Sequence, residues 1–217
     1  MPRLPSHFSA YRRAPFTPGT YRARGHLSKS EYPTREIHNT DSSSFFVELQ
    51  FADDASFALC VSAHRRRTHS TSEYTRMGES RSEDESDFVK GFAGTWRRDG
   101  DLAIAEVTAV RDDCDAKARA TQGRLDLRCT GMVAADGAAS DDGGTDKHRL
   151  VGCTLAGGWA RSIQPLIAGP IGPGKAPWII AGAPHGVDLH VSYRIGRPDI
   201  DVTITPAKRP LTRPTRP

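Results

Sequence analysis

Phe45, Val47, Leu49 and Phe51 alternate with Phe46, Glu48 and Gln50. After a polar break at Asp53-Asp54 the alternation resumes, with Phe57, Leu59, Val61 and Ala63 set against Ala58, Cys60, Ser62 and His64. Period two on both sides of a short break predicts two antiparallel strands over about 45–64, each with one buried face. The same grammar returns at Lys90 to Arg97, then Asp99-Gly100, then Leu102 to Val110. Asp-Gly between two strands is the strongest short-range hairpin signal. A third hairpin is read where Val187, Leu189, Val191, Tyr193 and Ile195 alternate with Asp188, His190, Ser192 and Arg194. A turn at 196–199 then leads into Ile200, Val202 and Ile204. Shorter strands are expected at 19–27, 123–132, 149–155 and 178–181.

The connecting segments are polar or rich in Gly and Pro. Residues 28–43 and 64–87 read as loops, the second being long enough to be functional or disordered. Residues 111–122 read as a short helix or a loop, and 135–147 as a low-complexity acidic loop. Residues 156–177 read as an irregular ordered segment packed over one end of the sheet. Nine or ten strands, mostly in sequence-adjacent hairpins, predict an all-β fold: an antiparallel meander closing into a barrel or a two-sheet sandwich. The expected organisation is a disordered basic arm over 1–18, a single β domain over 19–205 and an extended Pro/Arg tail over 206–217.

Charge changes the picture only at the ends. Residues 1–24 hold five arginines and no acid, and 206–217 hold Lys208, Arg209, Arg213 and Arg216 and no acid. The overall charge of +4 therefore belongs to the termini, and the body carries an excess of acid. Such a body offers no nucleic-acid face, and the basic ends suit at most a weak, salt-sensitive anionic partner. No apolar run approaches the ~18 residues that a membrane helix needs. Met1 to Gly25 lacks the apolar stretch of a signal peptide, so the chain as written reads as cytoplasmic. A start lying upstream would make it exported or envelope-associated.

Candidate chemistry is sparse. Gly169 to Lys175 matches the G-x-x-x-x-G-K skeleton, but Pro170 and Pro173 remove two amide donors, and Ala176 stands where a magnesium-binding hydroxyl is required. Cys60, His64 and His69 are spaced so that the first two share a strand face, yet they make an incomplete zinc set beside Arg65, Arg66 and Arg67. Asp188, His190 and Ser192 have the residue types of a hydrolase triad. On one strand face they stand ~6.5–7 Å apart, too far for the required hydrogen bonds. Asp136, Asp141, Asp142 and Asp146 lack the calcium-loop pattern, and Asp112, Asp113 and Asp115 likewise read as solvated. No cofactor is implied. Trp96, Trp159, Trp178 and Tyr193 are candidates for lining an apolar ligand pocket, with core packing as the simpler role. Cys60, Cys114, Cys129 and Cys153 allow two disulfides in three connectivities. In an oxidising compartment Cys129 is expected to pair with Cys153, since both lie in strands that can be neighbours.

Gly19-Thr20-Tyr21, then 45–51, then 56–61, then Gly94-Thr95-Trp96 running through Asp99-Gly100 to Leu102, resembles the opening strands of bacterial lipocalin-like small β-barrel domains. The likeness covers residues 19–110. Asp53-Asp54-Ala55-Ser56 replaces that family's D-G-x turn, and 64–87 is a long insert. The resemblance implies a barrel that is commonly non-enzymatic and often exported, with no catalytic residues to transfer. The expected function is therefore a non-enzymatic binding module for a small apolar ligand or a protein partner. The alternatives are an assembly protein docking through its basic termini and a hydrolase-type enzyme.

Overall fold

The computed structural model describes residues 11–34, 37–72, 79–134, 149–167, 178–194 and 200–213, with backbone alone at 72, 79, 134, 178–181, 193, 194, 200 and 201. The strands are β1 (Tyr11–Ala14), β2 (Gly19–Glu31), β3 (Ile37–Phe51), β4 (Ser56–Ser72), β5 (Glu79–Asp99), β6 (Leu102–Arg111), β7 (Arg119–Ala120), β8 (Asp126–Ala134), β9 (Arg149–Ala156), β10 (Trp178–Gly182), β11 (Val187–Arg194) and β12 (Ile200–Pro206). One helix, α1 (Gly158–Ile167), lies between β9 and β10. The protein is thus mostly β, as its alternation predicts, but with twelve described strands in a single sheet.

The sheet order is β10-β9-β8-β6-β5-β4-β3-β2-β11-β12, with β1 added to β8 and β7 to β6. Every pairing of strands is antiparallel except β2 with β11, which run parallel from Val187–Ala23 to Arg194–Ser30. The sheet is therefore mixed rather than a pure meander. The reason is that β11 is reached from β10, not by a hairpin from its neighbour β2. The ladder does not close. Beyond the end of β10, Ala183 and Arg22 exchange two backbone hydrogen bonds, of 3.0 and 3.2 Å, in a single isolated bridge.

The core follows from period two. Tyr21, Ala23 and Leu27 of β2, Phe45, Val47, Leu49 and Phe51 of β3, and Phe57, Leu59, Val61 and Ala63 of β4 share one buried cluster. Ala103, Ala105, Leu127, Val151 and Leu155 continue it across β6, β8 and β9. α1 presents Ala160, Ile163, Leu166 and Ile167 at helical spacing and packs them onto β2, β3, β4 and β9. Gly100, at φ +59°, makes the tight turn that joins β5 to β6 in the hairpin expected from Asp99-Gly100.

Several expectations are corrected. Residues 11–18 are not a free arm: β1 pairs with β8, Phe16 is buried against Tyr21, Phe51 and Trp96, and its carbonyl accepts from Arg98 at 3.0 Å. The tail is docked as far as Arg213, with Leu211 buried and its amide donating to the His185 carbonyl at 3.0 Å. The segments expected as loops at 28–43 and 64–87 are largely strand, because β2 to β5 run on well past the core. Part of the expected irregular segment 156–177 is α1, while 111–122, read as a short helix or a loop, is the loop, with a turn and the two-residue β7. The Gly169–Lys175 motif and the acidic loop at 135–147 lie outside the described residues, as do residues 1–10 and 214–217.

Candidate functional site

Beyond the core, β2, β3, β4 and β5 keep their register while their side chains turn polar on both faces. On the face that continues the core, the cross-strand row Leu27, Ser43, Arg65, Ser86 is followed by Lys29, Asp41, Arg67, Asp84 and then Glu31, Asn39, His69, Ser82. The second row alternates in sign across four strands, the arrangement that favours opposed pairs. Asp41 anchors it, accepting both Nε (2.7 Å) and a terminal nitrogen of Arg65 while Arg67 stands 3.9 Å away. The second and third rows, with Arg65 of the first, line a polar groove of about 520 Å³.

The outer face of the same extension carries the row His190, His26, Ser44, His64, Asp87. His26 and His190 stack with ring centroids 5.8 Å apart, and His64 Nδ1 lies 2.9 Å from Asp87. Arg66 pairs with Glu83 and approaches Glu85 at 3.7 Å. These pairs are exposed and each is worth little alone. From Ser80 to Asp87, β5 is exposed and is paired only with β4 among the described residues.

A second cluster lies on the outer face nearer the core. Glu48 of β3 is buried, with its side chain 5% exposed. It accepts Arg22 Nε at 2.7 Å, a terminal nitrogen of Arg213 at 2.6 Å and Gln50 Nε2 at 3.2 Å. Arg213 also pairs with Asp115 in the turn after β6. Burial alone pushes the Glu48 carboxyl upward, but the two arginine hydrogen bonds and charges outweigh it and hold it below its ordinary value of 4.5. Stability from such a group is present above its unfolded value and is lost as pH falls through the folded one. Glu48→Gln is expected to cost about 1–3 kcal/mol at neutral pH, less than a fully buried pair because the arginines are 28% and 30% exposed. Denaturant titrations should show that difference shrinking below about pH 4. An equal cost at pH 7 and pH 3 would remove the charge from the explanation.

The sequence candidates do not converge. Cys60 is bonded to Cys114, His64 faces Asp87, and His69 Nδ1 lies beside Asn39 on the opposite face, so no metal set forms; none does among the described residues. Asp188 pairs with Arg24 at 2.7 Å, away from any triad. Trp96 Nε1 donates to the Ala52 carbonyl at 2.8 Å, and Trp159 Nε1 donates to Thr121 at 3.1 Å while its ring packs edge-on against Phe92. Neither tryptophan lines the polar groove. The side chains of Trp178 and Tyr193 lie outside the described set. Cys129 is bonded to Cys153, its register partner across β8 and β9. Sequence reasoning missed the Glu48 cluster, since its arginines come from opposite ends of the chain and only a docked tail brings them together.

No helix among the described residues is long and apolar enough to cross a membrane. No family model matches the chain, and neither the curated proteins nor the solved structures give a match.

Proposed function

We propose that this protein is a non-enzymatic binding module of lipocalin-like barrel type that captures an extended protein segment along the polar end of its sheet. The barrel reading is supported by the run β2 to β6, then β8, β9 and β10, which returns to β2 at the Arg22–Ala183 bridge. A protein partner is favoured over a small apolar ligand by the packed interior, where α1 and the aromatic side chains take up the apolar space.

The observation that carries the proposal is the extension itself. Ordering a residue costs roughly 1–2 kcal/mol of backbone entropy, and here no apolar burial offsets it. A ladder kept so far past the core, ending in a long exposed strand edge, has the form of a surface for strand addition. Glu83, Glu85 and Asp87 project on one face of that edge; the first two share Arg66 of β4, and Asp87 faces His64. The matching partner strand carries basic residues at alternating positions.

Amide hydrogen exchange with a short synthetic peptide of alternating arginine and threonine tests this. Protection at 80–87 is expected to rise at least about tenfold, the yield of two or three cross-strand ion pairs. Glu83→Lys with Glu85→Lys should abolish the gain. No protection, or equal protection by a glutamate–threonine peptide, would overturn the reading. A ligand mass that survives high salt in native mass spectrometry would transfer the assignment to an apolar ligand. Assembly through basic termini has less behind it, because residues 11–18 and 207–213 are engaged within the molecule.

A further inference from the structure

We propose that the cleft between β3, the turn at 112–116 and the docked C-terminal segment binds a small oxyanion, of phosphate or carboxylate chemistry. This site is separate from the strand edge of β5 and does not depend on that reading. The cleft has a volume of about 210 Å³ and is lined by Glu48, Gln50, Arg111, Cys114, Asp115 and Arg213, among others. That is below the ~300 Å³ at which drug-sized ligand sites begin, and it suits an ion of a few heavy atoms.

Two buried donors carry the inference. The Nε atoms of Arg111 and Arg213 are both shielded from solvent, and neither has an acceptor among the described residues. A buried donor without an acceptor is costly, more so on a charged group. Both side chains line the same cleft, and one oxyanion there would satisfy both donors once the atoms covering them give way. Arg111 donates one terminal nitrogen to the Cys114 carbonyl at 3.2 Å, and both terminal nitrogens of Arg213 are held, by Glu48 and Asp115. The guanidinium planes are thus set before a ligand arrives, which limits the ordering cost of binding. The Cys60–Cys114 disulfide ties the turn to β4 and fixes the wall of the cleft.

The charge balance agrees. Arg111 and Arg213 balance Glu48 and Asp115 in the cleft wall, and Arg22, outside the wall but paired with Glu48, leaves one positive charge over. Glu48 does not repel an incoming anion strongly because Arg22 and Arg213 both neutralise it. Arginine also matches the planar edge of a carboxylate or phosphate better than lysine does.

The test is a thermal-unfolding titration of the full chain with sodium phosphate, and separately with sodium acetate. Ionic strength is held constant with sodium chloride. A saturable rise in midpoint is expected with one or both anions, reaching about a hundredfold shift in the folding equilibrium at a hundred times Kd. Phosphate alone, or acetate alone, identifies which oxyanion the cleft selects. Arg111→Gln should remove the response while Arg161→Gln, on the exposed face of α1, keeps it. Should Arg111→Gln fail to fold, Arg111→Lys keeps the charge without the Nε donor and is expected to weaken binding at least tenfold. A midpoint that follows ionic strength alone, or a response that persists in both Arg111 variants, overturns the site.

Discussion

Replacing both cysteine pairs with alanine is expected to bring the protein close to unfolding at physiological temperature. The bonds close spans of 54 and 24 residues, for Cys60–Cys114 and Cys129–Cys153. Chain-entropy reasoning assigns about 4 and about 3.5 kcal/mol to spans of those lengths. The spans do not overlap, so the two contributions add, and their sum is comparable with the whole stability of a typical domain, about 5–15 kcal/mol. Each pair alone should lower Tm by roughly 7–16 °C in a chain of this size. Cys129 and Cys153 are both 0% exposed, so their replacement also leaves a core defect and should be the worse of the two. A mild dithiol should open Cys60–Cys114 first, because that bond borders an outer cleft while the other sits inside the core. The native protein should show no free thiol before it is denatured and reduced. A Tm change under about 2 °C for either pair would mean that the bond is not made in the native protein.

The parts of this fold that were legible in the sequence are those where one face is apolar. The alternation at 45–51 and 57–63 marked β3 and β4 where they line the core, and Asp99-Gly100 marked the β5–β6 turn. The same strands became illegible once both faces turned polar, since period two carries no hydrophobic signal there. A different signal was present. Arg65, Arg66 and Arg67 are mirrored by Glu83, Asp84 and Glu85, and the register sets Arg66 opposite Glu85 and Arg67 opposite Asp84. A basic triplet followed by an acidic one at hairpin distance therefore reported a pairing that hydrophobicity did not. The parallel match of β11 to β2 had no local trace, because it joins residues about 160 positions apart through packing alone. The pairing of Cys60 with Cys114 was equally closed to spacing arguments, which leave the connectivity of four cysteines undetermined. The same distance in sequence hid the Glu48 cluster, whose partners Arg22 and Arg213 meet only after the tail has docked.

Gly182→Ala is expected to be strongly damaging, at roughly 3–5 kcal/mol. Gly182 sits at φ +115°, a conformation that residues with a Cβ rarely adopt, and such strain is worth about 1–3 kcal/mol. An added Cβ would also overlap the Arg22 carbonyl, a backbone atom that cannot yield without breaking the Arg22–Ala183 bridge. Losing those two hydrogen bonds adds about 0.5–1.5 kcal/mol each. Gly158→Ala is the control, since nothing lies within 4 Å of its Cβ position and its effect should stay under about 1 kcal/mol. Hydrogen exchange separates the local from the global consequence. The amides of Arg22 and Ala183 should lose protection in Gly182→Ala while those of β3 and β4 keep theirs, and unchanged protection at the bridge would refute this role for the glycine. Arg22 connects the bridge to the buried cluster: its backbone holds Ala183 and its side chain holds Glu48. Displacing that backbone should therefore weaken the Glu48 cluster as well. Gly182→Ala and Glu48→Gln should combine less than additively, by about 0.5 kcal/mol or more, as residues sharing a partner do. Strict additivity would mean that the bridge and the cluster are independent, and that the Arg22–Ala183 bridge has no hold on the cleft where Arg111 and Arg213 stand.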